Sequence, residues 1–324
     1  MNKSKIILIL FILLVISSVF GFISFFLYTE APFTKGNVLY NVDYNHNQSL
    51  DIYFPTQEVY ELRPVLFYIH GGAWIGGTKE AINLNRFNGA INDLRDSGFV
   101  VVSPTYTLGV YGKSPFPQNI KDVYEAIDFI KRNADLYQLD SSQIGILGES
   151  AGAHIAMMLA FAEPGVYKLN KPKHEFDYLV DVYGPNELRG IYQSGLLDTI
   201  NASMAYFPNS IQNRLDLTRY LLGFNPREDS ARAFQMMDEY SPIKHLSDNY
   251  NAPTLIIQGK EDRLVPFSQS QELKKKLNNL NLLSELHLLN GVDHAFLNAS
   301  DVQKDSIQRW IREFVIRDSK VEEK

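Results

Sequence analysis

One pentapeptide constrains this chain more than any other feature: Gly148-Glu149-Ser150-Ala151-Gly152. A short apolar run, 144–147, precedes it, and a strong helix-forming stretch, 151–162, follows it. Strand, sharp turn and helix in that order demand a tight reversal, and flanking glycines permit it by keeping Cβ atoms out of the crowded turn. A serine at the apex projects its Oγ at the carboxyl end of the strand. The helix that follows presents its N-terminus nearby, which favours developing negative charge. Ser150 is therefore the candidate nucleophile. The competing reading is a glycine-rich turn with an incidental serine.

The rest of the chain fits an alternating α/β protein. Short apolar runs at 38–43, 50–54, 65–70, 99–103, 144–147, 179–182, 254–258 and 285–288 read as strands. Helical patterns lie at 81–97, 117–133, 151–162, 268–278 and 300–315, the last two with apolar spacings near 3.6. The middle strands are continuously apolar, as expected when helices cover both faces of a mostly parallel sheet. The opening pair reads as antiparallel. Residues 186–240 break the rhythm, being rich in Tyr, Phe, Met and Leu with interruptions at Pro208 and Pro226. They read as an inserted helical cap within a main domain spanning 31–324, and the charged tail at 320–324 reads as frayed.

Residues 6–28 form an almost unbroken apolar run without a charge. As a helix this run reaches about 34 Å, enough to span a hydrocarbon core. Lys3 and Lys5 precede it, and Lys35 is the nearby basic residue beyond it. That bias places the N-terminus in the cytoplasm and the main domain outside, with segment 1–30 as a transmembrane anchor. A cleaved signal peptide is the rival: it would have a shorter apolar core and a small-x-small site, and no Ala-x-Ala occurs here. Either way the main domain is exported.

With Cys 0, the chain has no disulfides, no thiolate-bound zinc and no cysteine nucleophile. A net charge of -6 argues against a dominant nucleic-acid-binding surface, so no nucleic-acid partner is expected.

His70-Gly71-Gly72-Ala73-Trp74 follows the 65–70 run. Consecutive glycines leave backbone N–H groups able to point at a ligand oxygen, so the amides of Gly71 and Gly72, with that of Ala151, are candidates for an oxyanion hole. His70 reads as a loop-orienting residue. Gly72 to Gly77 also has the G-x-x-x-x-G spacing of a phosphate loop, but Thr78-Lys79 reverses the required order. No G-x-G-x-x-G follows a strand, so a dinucleotide site has no support.

Two carboxylates follow the 254–258 strand, Glu261 and Asp262, within Gly259-Lys260-Glu261-Asp262-Arg263-Leu264-Val265-Pro266. Either could accept an imidazole N–H and fix its tautomer, but adjacent residues point in different directions, so one is expected to serve. Among 7 His, His294 in Gly291-Val292-Asp293-His294-Ala295-Phe296 stands in a loop between the last strand and the last helix. It completes the order serine, acid, histidine, each after a strand. His154, one helical turn past Ser150, reads as a packing residue. No pair of histidines has metal-ligand spacing, so a metal hydrolase is disfavoured.

Together these motifs resemble the α/β-hydrolase superfamily, and within it the hormone-sensitive-lipase-like and feruloyl-esterase-like carboxylesterases. The resemblance spans roughly residues 38–315. It rests on His70-Gly71-Gly72-Ala73-Trp74, the Gly148 to Gly152 elbow, Gly259-x-x-Asp262-x-x-Val265-Pro266, Gly291-x-x-His294, and Phe116-Pro117 followed by Asp122. It implies an α/β-hydrolase fold with an eight-stranded, mostly parallel sheet, a Ser150–Asp262–His294 triad with Asp262 rather than Glu261 as the acid, and ester hydrolysis with no cofactor. Two positions depart from the family's habit. Thr105-Tyr106-Thr107 stands where Asp-Tyr-Arg or Asn-Tyr-Arg is common, which removes an arginine ion pair. Glu149 stands where many relatives carry Asp, and its longer side chain alters the local hydrogen bonding.

The expected chemistry is acyl transfer from a small-molecule ester to water, with an imidazole base whose ordinary basicity predicts activity falling in mild acid. A serine peptidase of the prolyl-oligopeptidase type shares the fold and triad order, but no grip for a peptide terminus is assignable and the length leaves no room for a propeller. A non-catalytic binding relative would usually lack a triad member, and here all three are present.

Overall fold

The computed structural model describes residues 36–193 and 217–319. The 6–28 run lies outside the described residues, and no helix among those described is long and apolar enough to cross a membrane.

Eight strands form one sheet in the order β1-β2-β4-β3-β5-β6-β7-β8. They are β1 (Val38–Asp43), β2 (Ser49–Tyr53), β3 (Arg63–Ile69), β4 (Val100–Pro104), β5 (Leu139–Glu149), β6 (Leu179–Val182), β7 (Thr254–Gly259) and β8 (Ser284–Leu289). β1 pairs with β2, and β2 with β4, antiparallel; every pairing from β4 through β3 to β8 is parallel. This is the sheet the resemblance implies. Parallel neighbours all end on one side, so the loops after β3, β5, β6, β7 and β8 share one rim, where ligands bind in open α/β sheets.

The continuous apolar runs have the expected cause: both sheet faces are covered. Val65, Phe67 and Ile69 of β3 belong to one core cluster, while Leu66 and Tyr68 belong to the other. The first cluster is closed by the helices Gln118–Arg132, Ala151–Phe161 and Phe267–Asn279, and the second by Asn88–Asp96 and Asp301–Asp318. Helix Ala151–Phe161 is buried along its whole length, which explains its unbroken apolar sequence.

The helix read over 81–97 is corrected by the structure. A 3₁₀ turn occupies Lys79–Asn83, and the helix is confined to Asn88–Asp96. Asn85 separates them: its Oδ1 accepts the Phe87 amide at 3.0 Å, a local bond that competes with helix continuation. Lys79 is also held in place, its Nζ 3.0 Å from the buried carboxylate of Asp51. A lysine paired inside the protein cannot serve a phosphate loop.

Between β6 and β7 the described residues contain helices Leu188–Gln193, Leu217–Leu222 and Ser230–Glu239. Leu188, Leu222, Met237 and Tyr240 join the first core cluster, so these helices share the main domain's core. Residues 194–216 of the segment read as a cap lie outside the described residues.

Candidate active site

Ser150 separates β5 from helix Ala151–Phe161 with φ 50° and ψ −120°. A residue with a Cβ rarely occupies that region, at a cost of order 1–3 kcal/mol. The surroundings enforce it. The Ser150 amide donates to Val182 O at 2.9 Å, tying the elbow to β6. A Cβ on Gly152 would sit 2.1 Å from Ile69 O, so only glycine lets the helix start press this closely on β3. Ser150 occupies the N-cap position, yet its hydroxyl makes no capping bond. Instead Oγ lies 3.0 Å from His294 Nε2.

The imidazole is oriented from its other side. His294 Nδ1 donates to Asp262 Oδ2 at 2.7 Å, which leaves Nε2 as the acceptor facing the serine hydroxyl. Asp262 Oδ2 also accepts Gln258 Nε2 at 2.7 Å, and its Oδ1 accepts the amides of Leu264 and Val265 at 2.8 Å each. Four donors thus fix the carboxylate of a side chain with no solvent exposure. Glu261, its neighbour, is exposed to solvent instead.

Hydrogen bonds also knit the two loops together. Glu261 N donates to Val292 O at 2.9 Å, and Arg263 N to Asp293 Oδ1 at 3.3 Å. Asn298 clamps the histidine loop, with Nδ2 donating to Gly291 O and Oδ1 accepting Asp293 N, both at 2.8 Å. Asp293 Oδ1 accepts the His294 amide at 2.7 Å and starts the short turn His294–Phe296.

The glycine loop after β3 approaches the elbow directly. A Cβ on Gly71 would lie 3.3 Å from Ser150 Cβ. Gly72 has φ +122° with Gly76 O only 2.2 Å from where its Cβ would be, a backbone position reserved for glycine. Among the described residues, the amides of Gly71 and Gly72 donate to no protein acceptor. Ala151 is the first residue of its helix, where the amide lacks an intrahelical acceptor.

The loop is braced by His70, as expected. Its Nδ1 donates to Gly71 O at 2.7 Å, and its ring stacks on Tyr106 at 4.2 Å. Tyr106 Oη in turn donates to His70 O at 2.8 Å. Burial pushes the His70 imidazole down to about 4, so it stays neutral. His154 is also structural: Trp74 Nε1 donates to its Nδ1 at 3.3 Å and its Nε2 donates to Tyr240 O at 2.6 Å. Burial lowers it to about 4 as well. After β4, the Thr107 amide donates to Asp122 Oδ2 at 2.7 Å and Gln118 Nε2 to Oδ1 at 2.8 Å.

Motif reading missed Gln258, Asn298 and Tyr183. Gln258 left a faint signal, a polar residue at the end of an otherwise apolar buried strand. Tyr183, just after β6, sets its ring 4.9 Å from the His294 ring, and nothing in its sequence neighbourhood announces it.

The model of the BD-FAE family matches residues 50–277. A probable carboxylic ester hydrolase, LipM of Mycobacterium tuberculosis, is 26% identical over 238 residues, covering 73% of this chain and 50% of that protein. Arylacetamide deacetylase of Bos taurus is 36% identical over 111 residues, 34% of this chain and 27% of that protein. The chain thus spans half or less of the length of these curated relatives. Among solved structures, a truncated carbohydrate esterase from gut microbiota superposes with a TM-score of 0.66 at 23% identity, covering 88% of this chain and 99% of that one. That likeness is one of fold.

Proposed function

The chain belongs to the BD-FAE family and has the α/β-hydrolase fold, and from that premise we propose that it is a serine hydrolase that cleaves small carboxylic esters through an acyl-enzyme. The observation that carries the reading is the continuous line from Ser150 Oγ to His294 Nε2, 3.0 Å, and from His294 Nδ1 to Asp262 Oδ2, 2.7 Å.

In this reaction His294 Nε2 takes the hydroxyl proton as Ser150 Oγ attacks the ester carbonyl. Asp262 stabilises the imidazolium and holds its tautomer without being protonated itself. The amides of Gly71, Gly72 and Ala151 receive the oxyanion as the carbonyl becomes tetrahedral. His294 then passes its proton to the leaving alcohol, and water, deprotonated by the same nitrogen, releases the acid. Ser150 is half-buried rather than sealed, which leaves a carbonyl a way in. The ester relatives support this reaction class over peptide hydrolysis. We read 186–240 as a cap of the 31–324 domain, and residues 6–28 as a membrane anchor that holds that domain outside the cytoplasm.

The test compares Ser150→Ala with wild type on short-chain aryl esters and on a serine-reactive phosphonate. The variant is expected to lose at least about 10⁴-fold in kcat and all phosphonylation. Undiminished turnover by Ser150→Ala would overturn the proposal. Extraction of the full chain from membranes by alkaline carbonate would count against the anchor.

A further inference from the structure

We propose that Tyr68, Glu149 and Tyr183 form a brace that positions the His294 imidazole against the Ser150 elbow, with Glu149 as its central positioning residue. The inference rests on the serine-hydrolase reading and adds to it a role for Glu149 that the pentapeptide alone does not show.

The nucleophile and the base come from strands that do not touch each other, β5 and β8, with β6 and β7 between them. A distance of 3.0 Å between their side chains must therefore be set across those two strands. Glu149, the last residue of β5, does this from beside the serine. Its Oε1 accepts the Tyr68 hydroxyl and its Oε2 accepts the Tyr183 hydroxyl, the latter at 2.5 Å. Tyr68 belongs to β3, two residues before the glycine loop, and Tyr183 directly follows β6. One carboxylate thus joins the ends of three strands at the rim.

Tyr183 carries the connection on to the base. Its ring stands 4.9 Å from the His294 ring at 61° and 4.7 Å from the Phe296 ring at 82°, both edge-on. Its backbone is turned to φ 44°, a conformation unfavourable for a bulky residue. The Tyr183 amide is anchored by donating to Ile257 O at 2.8 Å. The strained turn aims the phenol back toward Glu149 while its ring forms a wall behind the imidazole. Both tyrosines are buried, so their hydroxyls have little access to water. Arg86 faces the same carboxylate electrostatically.

The geometry also gives a use for glutamate over aspartate at position 149. An aspartate would withdraw the carboxylate by one carbon–carbon bond, about 1.5 Å. It could not then keep both hydroxyl bonds without moving a strand end.

The experiment uses Glu149→Gln, Glu149→Asp, Tyr68→Phe and Tyr183→Phe in the full chain, with kcat, KM, the rate of Ser150 phosphonylation and the unfolding midpoint measured for each. Tyr183→Phe removes one oxygen and keeps the ring, so it reads the brace even if the glutamate variants fold poorly. The expected result is about a tenfold fall in kcat for Glu149→Gln and Glu149→Asp and about threefold or more for Tyr183→Phe, with KM within about twofold. Phosphonylation falls by the same factors. The Glu149→Gln, Tyr183→Phe pair together should lose little more than Glu149→Gln alone, because both act through one contact. Wild-type kcat and phosphonylation in variants that only unfold more easily would reduce the brace to a structural tie and overturn the proposal. If Ser150→Ala is inactive while these variants are normal, the brace alone fails. If Ser150→Ala retains turnover, the hydrolase reading itself fails.

Discussion

The serine and the acid–base pair face each other across 3.0 Å, but they are held by different physics. The serine elbow is held by exclusion. Gly152 leaves no room for a Cβ, the Ser150 backbone sits in a strained region, and the helix behind it is buried along its length. The acid–base arm is held by hydrogen bonds. Gln258, two backbone amides and His294 converge on Asp262, and Asn298 clamps the loop that carries the imidazole. Close packing resists displacement sharply and tolerates little change, whereas a set of hydrogen bonds loses its members one by one. Damage to the two sides should therefore look different.

The largest effect should come from Asp262→Asn, which keeps the shape of the acid and reverses one of its hydrogen-bonding atoms. An amide N–H facing Nδ1 would favour the wrong imidazole tautomer, leaving no acceptor for the serine proton. Loss of about 10³–10⁴-fold in kcat with a near-normal unfolding midpoint is the expected outcome. An equal fall in stability would mean that the arm, too, is a packing element.

Gly152→Ala is the corresponding insult to the packed side. The new methyl group would meet Ile69 O, so the helix start or β3 must move. A displacement near 1 Å at the serine corresponds to about 10²-fold in rate, and overpacking to about 1–3 kcal/mol in stability. Here rate and stability should fall together. Wild-type activity in a stably folded Gly152→Ala protein would remove the exclusion argument.

The packed side also carries a sensitivity to acid. His154 is buried one turn beyond the serine, and burial holds it at about 4 against an ordinary value of 6.5. The unfolded chain therefore binds this proton first as pH falls. Its contribution to stability is complete above 6.5 and is lost on the way down to 4. Asp181, raised to about 7 by burial, works in the opposite sense between its ordinary 3.8 and 7, so the comparison needs a variant. Between pH 7.5 and 4.5, His154→Gln should lose about 2 kcal/mol less than wild type in guanidinium unfolding. Identical losses in the two proteins would acquit His154.

The same contrast decides what could be read without coordinates. Exclusion leaves glycines behind, and glycines at Gly71, Gly72, Gly148 and Gly152 are visible in any sequence. The inner strands were legible because burial on both faces demands continuous apolar runs, while the edge strands β1 and β8 are partly exposed and carry a weaker pattern. Ser150 and His294 stood out because each follows a strand in a glycine-bearing loop, and Asp262 was preferred to Glu261 only through the family resemblance. The helix over 81–97 was misread because Asn85 competes locally for the backbone, an effect that apolar periodicity does not register. Gln258 left only a faint signal, and Asn298 and the Tyr68–Glu149–Tyr183 contacts left none. The partners of Glu149 are brought near only by the sheet order, with Tyr68 and Glu149 separated by 81 positions, whereas Gln258 and Asn298 bond to neighbours 4 to 7 positions away through side-chain directions that no motif records.

Gln258→Leu tests the weakest link of the hydrogen-bonded side. It removes the Nε2 donor to Asp262 Oδ2 and a second bond to Val265 O at 3.1 Å, while filling a similar volume on β7. Three donors remain on the carboxylate, so the arm should loosen without collapsing. One hydrogen bond to a charged group, at roughly 1.5 kcal/mol, corresponds to about a tenfold fall in kcat/KM. Gln258 reaches the imidazole through Asp262, so the substitution should have almost no further effect on rate in an Asp262→Asn background, while the loss of its bonds to Val265 O and to Ser270 Oγ, the latter at 3.2 Å, should lower the unfolding midpoint in both backgrounds. A full tenfold loss in that background would mean that Gln258 shapes the site by packing, and the division between an excluded side and a hydrogen-bonded side would not hold at β7.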